Sequence, residues 1–407
     1  MCAEDWARQA HGVEQGVSTT RRGCPPRFHG KRLTDVVRAK LWAPFTALLI
    51  VCLAVGTAAP AGAATPEIAI YFTENLPAAG APASMSLIES ALLSLLDSAE
   101  VSIDACLFSL NRESVRDALV RAHDRGVRVR VACDDGHYPD FRHIENVGIT
   151  VVQDNRSSTM HNKFFVVDRR IVRTGSTNMT DEGFSSNHNN SPAIVCPELA
   201  QAYEAEFEEM FVEKKFGRAK VDNTPHVISC DSITIESYFS PSGGSQAKLI
   251  DEISHADSSI CFAVYYFTAD QVREALIQRT ADGVIVKGIY DAIGAGCHYS
   301  EHEPLCSAGI PIKVENLRGI LHHKFMVIDV DGDDPVVVTG SYNWTAAGNE
   351  DNDENTLIIH DRAIAETYYS EWQHIWAVVP PTCGCNMPRV LLPLVIHSCA
   401  SSQVIPH

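Results

Sequence analysis

The feature that most constrains this chain is an internal repeat, each copy of which ends in the same short polar pattern. In the first copy, residues 68–73 read as a strand. Residues 86–99 read as a helix with Ile88, Ala91, Leu92 and Leu95 on one face, opened by a capping box of Ser86 and Glu89. Residues 101–108 are a second strand. Residues 113–125 are a helix carrying Val115, Ala118, Leu119 and Ala122 on one face and stopped by Gly126. Residues 127–131 alternate as a strand does, and 149–153 follow as another. The order recurs: strand 233–239, helix 246–256, strand 259–266, helix 270–280 stopped near Gly283, then strands 284–290 and 310–314. Alternating units of this length predict an α/β fold. We expect two similar α/β lobes, each a mixed sheet flanked by helices, related by a pseudo-twofold axis. The expected bounds are 1–64 for a leader, 65–221 and 226–378 for the lobes, and 379–407 for a tail that fits neither. Asn223-Thr224-Pro225 is the expected junction.

The polar pattern carries chemistry. The first copy reads His161-x-Lys163, four residues, Asp168, six residues, then Gly175-Ser176-x-Asn178. The second reads His322-x-Lys324, four residues, Asp329, ten residues, then Gly340-Ser341-x-Asn343. Residues 164–167 and 325–328 are strand-like, so a period of two projects His161 and Lys163 to one side, and His322 and Lys324 likewise. Turn-formers such as Asp331 and Gly332 account for the longer second spacing.

These paired motifs resemble those of the phospholipase D superfamily over both lobes, about residues 65–378. The resemblance implies phosphodiester cleavage at one site assembled from two copies. The chemistry makes the doubling intelligible. A phosphodiester needs a nucleophile on one side of phosphorus and an acid for the leaving oxygen on the other, and imidazole suits both roles. Lys163 and Lys324, with Asn178, Asn343, Ser176 and Ser341, would hold the phosphate oxygens. Neither a metal nor another cofactor is required for this, because the lysines supply the positive charge.

The resemblance carries the nucleophile onto His161 and the acid/base onto His322, and it places Asp168 and Asp329 in the catalytic set. An aspartate closing a strand also serves as a structural acceptor. Eleven residues past each motif asparagine stand Asn189 and Glu354. Relatives usually carry an acid there that orients a catalytic histidine, so Glu354 joins the catalytic set and Asn189 departs from the pattern. If Glu354 serves His322, the two histidine roles reverse.

Other residues have plainer readings. Strand alternation turns His323 away from the site. Tyr342 and Trp344 are core aromatics or walls of the cleft. His137-Tyr138 and His298-Tyr299 stand at matching places after a strand, with a solvated loop as the default. The run 214–220, which holds Lys214, Lys215, Arg218 and Lys220, reads as an exposed linker face.

Charge narrows the partners. The first 40 residues hold eight Lys/Arg and four Asp/Glu, and residues 41–64 hold none, so the remainder carries 25 − 47 = −22. A basic stretch, the apolar run 41–55 and Ala61-Gly62-Ala63 together predict a cleaved secretory signal, with an uncleaved membrane anchor as the alternative. We expect the mature chain to be exported, with translation starting near Val36. Ten cysteines follow the leader. Cys297 and Cys306 are the expected disulfide, and Cys106, Cys133 and Cys261 small core residues. Both the export and the acidic body favour a phospholipid headgroup over a nucleic-acid phosphodiester as substrate, with peripheral membrane contact and no obligate protein partner. A nonspecific endonuclease is the second reading; a phosphatidyltransferase and an idle binding protein rank lower.

Overall fold

In the computed structural model, residues 68–73, 85–317 and 319–382 are described. The leader, the signal and anchor readings, and most of the tail lie outside them. The first lobe runs β1 (Ile68–Phe72), α1 (Leu87–Ser98), β2 (Ser102–Leu107), α2 (Glu113–Asp124), β3 (Arg128–Cys133), β4 (Thr150–Gln153), β5 (Lys163–Val167), β6 (Ile171–Arg173), β7 (Asn190–Val195) and α3 (Pro197–Phe211). The second runs β8 (Val227–Cys230), β9 (Ile233–Ser240), α4 (Ser245–His255), β10 (Ser259–Val264), α5 (Asp270–Ala281), β11 (Ile285–Asp291), β12 (Ile312–Glu315), β13 (Lys324–Ile328), β14 (Val336–Gly340), β15 (Glu354–His360) and α6 (Arg362–Val378). Single-turn helices fill several connections.

The sheets have orders β1-β7-β6-β5-β2-β3-β4 and β12-β11-β10-β13-β14-β15-β9-β8. The first pairs β2, β3 and β4 in parallel and joins β2 to β5 antiparallel. The second pairs β10, β11 and β12 in parallel and joins β10 to β13 antiparallel. This is the expected mixed α/β architecture, repeated.

Strand alternation divides the apolar side chains between layers. In β5, Phe165 and Val167 pack under α1 and α2, while Phe164 and Val166 turn toward α3. In β13, Met326 and Ile328 pack under α4 and α5, while Phe325 and Val327 turn toward α6. The inner cluster spans both lobes, with Tyr203 and Phe207 of α3 meeting Tyr368 and Trp372 of α6 in one continuous core. A disulfide between Cys196 and Cys230 ties the start of α3 to β8. Cys306 is also disulfide-bonded, but Cys297 is not its partner, so the expected 297–306 pair does not form. Cys106, Cys133 and Cys261 are buried as expected.

Helix ends follow the sequence, with one exception. Gly126 and Gly283 take φ of 90° and 98°, the left-handed stop that glycine accepts without strain. The capping box at α1 does not form. Ser86 makes no side-chain cap, and Glu89 is drawn instead into the lobe, where Arg112 donates to both its oxygens at 2.8 Å. A buried carboxylate gains more from a bidentate guanidinium than from one backbone amide.

Candidate active site

Lys163 opens β5 and Lys324 opens β13, each two residues after its histidine. A Cβ on Gly175 or Gly340 would meet the carbonyl oxygen of Asn190 at 2.4 Å or of Asn355 at 2.2 Å, and both glycines have positive φ. The motif glycines therefore let neighbouring strands close up beside the site. Ser176 and Ser341 stabilise the same junction. The Ser176 hydroxyl donates to Asn189 Oδ1 at 2.9 Å and accepts from the Asn190 amide at 3.1 Å, and Ser341 Oγ accepts from the Asn355 amide at 3.0 Å. Both serines are fully buried, so their expected hydroxyl contact with phosphate is replaced by a role in the scaffold.

The lobes interlock at the site. The His161 amide donates to the Asp353 carbonyl at 2.9 Å, and the His322 amide to the His188 carbonyl at 3.0 Å. Side chains follow the same crossing. His161 Nδ1 lies 2.8 and 2.9 Å from the two oxygens of Glu354, in the other lobe. His322 Nδ1 lies 2.8 Å from Asn189 Oδ1, again across the interface. Asn189 is itself oriented, accepting from Ser176 and donating through Nδ2 to the Gly183 carbonyl at 3.0 Å. An amide oxygen only accepts, so His322 carries its proton on Nδ1 when neutral. In both rings Nε2 is therefore left for chemistry. Glu354 serves His161 rather than His322, which settles the question of its partner.

Further crossings hold this frame. Asn355 accepts from Thr174 at 2.7 Å and Tyr203 at 3.1 Å and donates to Asn162 at 2.7 Å. Asn190 accepts from Thr339 at 2.9 Å and Tyr368 at 3.2 Å. Its Nδ2 lies 3.2 Å from His323 Nδ1, so His323 is a packing residue, as its alternation predicted, and it packs within the interface.

Lys163 and Lys324 are buried, and each donates to the carbonyl of its own histidine. Burial lowers the Lys163 ammonium to about 7, against the raising effect of Glu354 and Asp134. Burial also drives Lys324 well below the usual lysine range, and Lys163 adds to this. Both histidines are depressed, chiefly by burial. Glu354 offsets part of the effect at His161, whereas His322 faces Lys324, Lys163 and His161 with no carboxylate partner and falls well below its ordinary value. The site is thus short of negative charge, and a bound phosphodiester anion would raise these groups toward their charged forms. The amide oxygens of Asn178 and Asn343 are buried at equivalent places without hydrogen-bond partners; as acceptors they cannot hold a phosphate oxygen, a contact that falls to the Nδ2 groups of the same side chains.

Asp168 and Asp329 are not part of this group. They lie at the far ends of β5 and β13, five residues beyond the lysines, or roughly 16 Å of strand. Asp168 accepts from the amides of Glu100, Val101 and Ser102 at 3.0, 2.7 and 2.9 Å, and Asp329 from those of Asp257, Ser258 and Ser259 at 2.7, 2.7 and 2.8 Å. Both have φ near +50°, which aspartate tolerates in turns. They are turn acceptors, and the expected catalytic role is corrected accordingly. Tyr342 and Trp344 are core residues, 2% and 1% exposed.

Several residues at the site escaped the motif reading. Asp134 and Asp291 occupy matching places at the ends of β3 and β11. Asp134 accepts from the Met160 amide at 3.2 Å and Asp291 from the Leu321 amide at 2.8 Å, in each case the residue just before the histidine. The signal was present, since both copies follow the same strand with aspartate. Phe108 and Tyr265 also match, each ring lying 5.1 Å from its lobe's histidine and beneath its lysine at 5.0 and 5.1 Å. The basic run 214–220 is a solvated face at Lys214 and Arg218 but not at its end. Lys220 is fully buried, paired with Glu206 and, at 3.0 Å, with Asp353.

Among the described residues, two groups could offer three metal ligands each: Asp134, Asp135 and Asp154, and Glu236, Glu252 and His360. Asp134 and Asp154 already accept from backbone amides, and Lys248 Nζ sits 3.2 and 2.8 Å from Glu236 and Glu252. Neither group includes His161 or His322.

A family described as cardiolipin synthase, phospholipase D-like domain, matches residues 92–211 and again 249–376. Among curated proteins, the mitochondrial cardiolipin hydrolase of Xenopus tropicalis is 33% identical over 135 residues, 33% of this chain and 62% of that protein. A phospholipase D of Rickettsia conorii is 32% identical over 138 residues, 34% of this chain and 67% of that protein. The chain thus spans about two thirds or less of the length of these relatives. The solved phosphatidylserine synthase of Haemophilus influenzae is similar with a TM-score of 0.57 at 13% identity, covering 72% of this chain and 85% of that one, a likeness of fold.

Proposed function

This chain belongs to the phospholipase D superfamily, and from that premise we propose that it hydrolyses a phospholipid headgroup phosphodiester, of the phosphatidylcholine type, to phosphatidic acid through a phosphohistidine. One observation carries the mechanism: the reciprocal crossing that gives His161 a carboxylate partner and His322 an amide. Glu354 on Nδ1 enriches Nε2 of His161 and stabilises the positive charge that develops as the ring attacks. His161 Nε2 bonds to phosphorus while the bond to the leaving oxygen breaks, and that oxygen takes the Nε2 proton of His322. A water then gives a proton back to His322 and attacks phosphorus, and the P–N bond breaks to restore His161. Lys163, Lys324, Asn178 and Asn343 hold the non-bridging oxygens throughout. His322, with no carboxylate to retain its proton, is the better donor once a substrate anion has offset its surroundings.

Lipid as substrate is supported by two relatives whose names concern phospholipids and by the acidic charge after residue 64. We also assign the N-terminal 64 residues to export, which would bring the enzyme to lipids outside the cytoplasm. The test is a metal-free comparison of phosphatidylcholine vesicles with plasmid DNA. The expected result is choline release, with added ethanol diverting product to phosphatidylethanol. Nicked plasmid with untouched lipid would overturn the substrate. A covalent phosphate mapped to His322 would reverse the histidine roles.

A further inference from the structure

The sequence puts a His-Tyr pair after the third strand of each copy, and the structure uses the two differently. His298 is exposed, its ring meeting that of Tyr299 at 4.8 Å. His137 is folded back onto the site. Its Nδ1 lies 3.1 Å from Asp134 Oδ1, and its ring packs at 4.1 Å against Phe108, whose other neighbours are His161 at 5.1 Å and Lys163 at 5.0 Å. The His137 side chain is 24% exposed. Asp134 is buried and anchored from its other oxygen by the Met160 amide, so the imidazole stands on a rigid support. With Nδ1 committed to Asp134, Nε2 is the ring nitrogen left for a ligand. The second lobe has no such group: its matching aspartate, Asp291, spends its oxygens on the amides of Ile293 and Leu321.

We propose that His137 is a specificity-determining residue: with Nδ1–H given to the Asp134 carboxylate, the protonated ring donates from Nε2 to an oxygen on the alcohol that stays attached to phosphorus. This rests on the reading of His161 as nucleophile and His322 as acid. The leaving alcohol must then face His322 and Tyr265, opposite His161; the retained alcohol lies equatorial on phosphorus beside the two non-bridging oxygens, and we place it against Phe108 and His137. In a phospholipid that portion is the acylated glycerol, whose ester oxygens lie within a few bonds of phosphorus. Phe108 covers the apolar part of the contact and His137 its polar edge. An Asp-held imidazole has little rotamer freedom to lose on binding, which favours a selective contact.

The experiment compares two substrates in His137→Ala, His137→Asn and His298→Ala. One is phosphatidylcholine in mixed micelles, which retains an oxygen-rich alcohol. The other is methyl p-nitrophenyl phosphate, which retains only methyl. We expect His137→Ala to raise KM for the lipid about ten-fold with kcat within two-fold. It should leave kcat/KM for the methyl ester unchanged, with partial recovery in His137→Asn and no effect of His298→Ala. Equal losses on both substrates would overturn the proposal, since a residue that merely supports Phe108 and His161 would act on any diester. No loss on either would overturn it as well. If the wild type ignores lipid and cleaves DNA, the functional reading fails separately; His137 is then judged on DNA, which also retains an oxygen-rich alcohol, against the methyl ester, by the same two criteria.

Discussion

The two lobes share a fold, a motif and a crossing of histidines, yet they present different electrostatics where they meet. Past its motif the first lobe offers His188, Asn189 and Asn190; the second offers Asp353, Glu354 and Asn355. The asparagines do the same work in both directions, as cross-lobe acceptors for a threonine and a tyrosine. The middle position separates a carboxylate-backed histidine from an amide-backed one. The first position separates a buried ion cluster from a neutral one. Asp353 holds Lys220 at 3.0 Å, Arg156 at 2.9 Å and the Gly217 amide at 2.7 Å. Burial works against the charge on Lys220, but Asp353 and Glu206 keep its pKa above the usual lysine range. His188 is pushed down to about 4, chiefly by burial with His323 adding to it, so it stays neutral. Duplicated scaffolds can hold two imidazoles at one phosphorus; making them unequal takes only changes in the residues each lobe lends the other.

The largest effect should separate the histidines by role. Both His161→Asn and His322→Asn should lose at least about a thousand-fold on phosphatidylcholine. On a p-nitrophenyl diester, whose leaving group needs no proton, His322→Asn should recover much of its loss and His161→Asn none. Matching losses of the two variants on both substrates would erase the distinction between the lobes.

The ion cluster comes next. Asp353→Ala leaves the buried Lys220 to Glu206 and strips the partly exposed Arg156 of its 2.9 Å partner, and should cost about 3 kcal/mol in urea unfolding. His188→Ala, which removes no charge partner, should cost about 1 kcal/mol. A reversed order would mean that the charge difference between the lobes is not what stabilises their contact.

Replacing the carboxylate while keeping the shape addresses the middle position. Glu354→Gln should lower kcat about 10- to 100-fold with unchanged KM. Asn189→Asp should instead raise the His322 pKa and move the pH profile upward. An unshifted profile would argue that the amide at Asn189 has no electrostatic purpose.

The depressed pKa values set the profile itself. Attack requires His161 neutral, so activity should fall on the acid side as that ring protonates. Proton donation requires His322 charged, and phosphate binding requires Lys163 charged. Both are lost as pH rises, Lys163 through about 7. The kcat/KM optimum should therefore lie on the acid side of the ordinary histidine value and decline about a hundred-fold per unit above neutrality, ten-fold for each of the two protons lost. An optimum above pH 8 in stopped assays would contradict the direction of these shifts.

The smallest effect on catalysis should come from the turn aspartates. Asp168→Ala and Asp329→Ala should each lower stability by about 2 kcal/mol through the lost amide contacts while leaving kcat unchanged. A loss of kcat in the folded variants would return these residues to the catalytic set.

Much of this was legible in the sequence, for physical reasons. The strands and helices of the repeat followed from periodicities of two and 3.6, with glycine stops, because burial on one face imposes them locally. The longer helices α3 and α6 were not anticipated. Both bury faces against the interface between lobes, a surface that local pattern does not reveal. The His-Lys pairs were legible because a period of two on a strand carries direct geometric meaning, whereas the asparagines and Glu354 were marked by the resemblance to the family's motif. For Asp168, Asp329, Ser176 and Ser341 the sequence left a chemical and a structural reading open, because a motif records which residues recur together and not which way each points. The Cys297–Cys306 pairing failed similarly: proximity in a loop says little about which sulfur lies opposite.

The sequence by itself determined that two α/β units end in matching His-Lys pairs, and hence that phosphodiester chemistry has its reagents in duplicate. Only the tertiary structure decided that each histidine takes its partner from the opposite lobe, that Glu354 belongs to His161, and that Lys220 is a buried ion-pair partner. The physical reason is that these are pairings over more than 100 residues of chain. Local periodicity specifies the elements, but the choice between one buried partner and another is made by how two packed sheets meet.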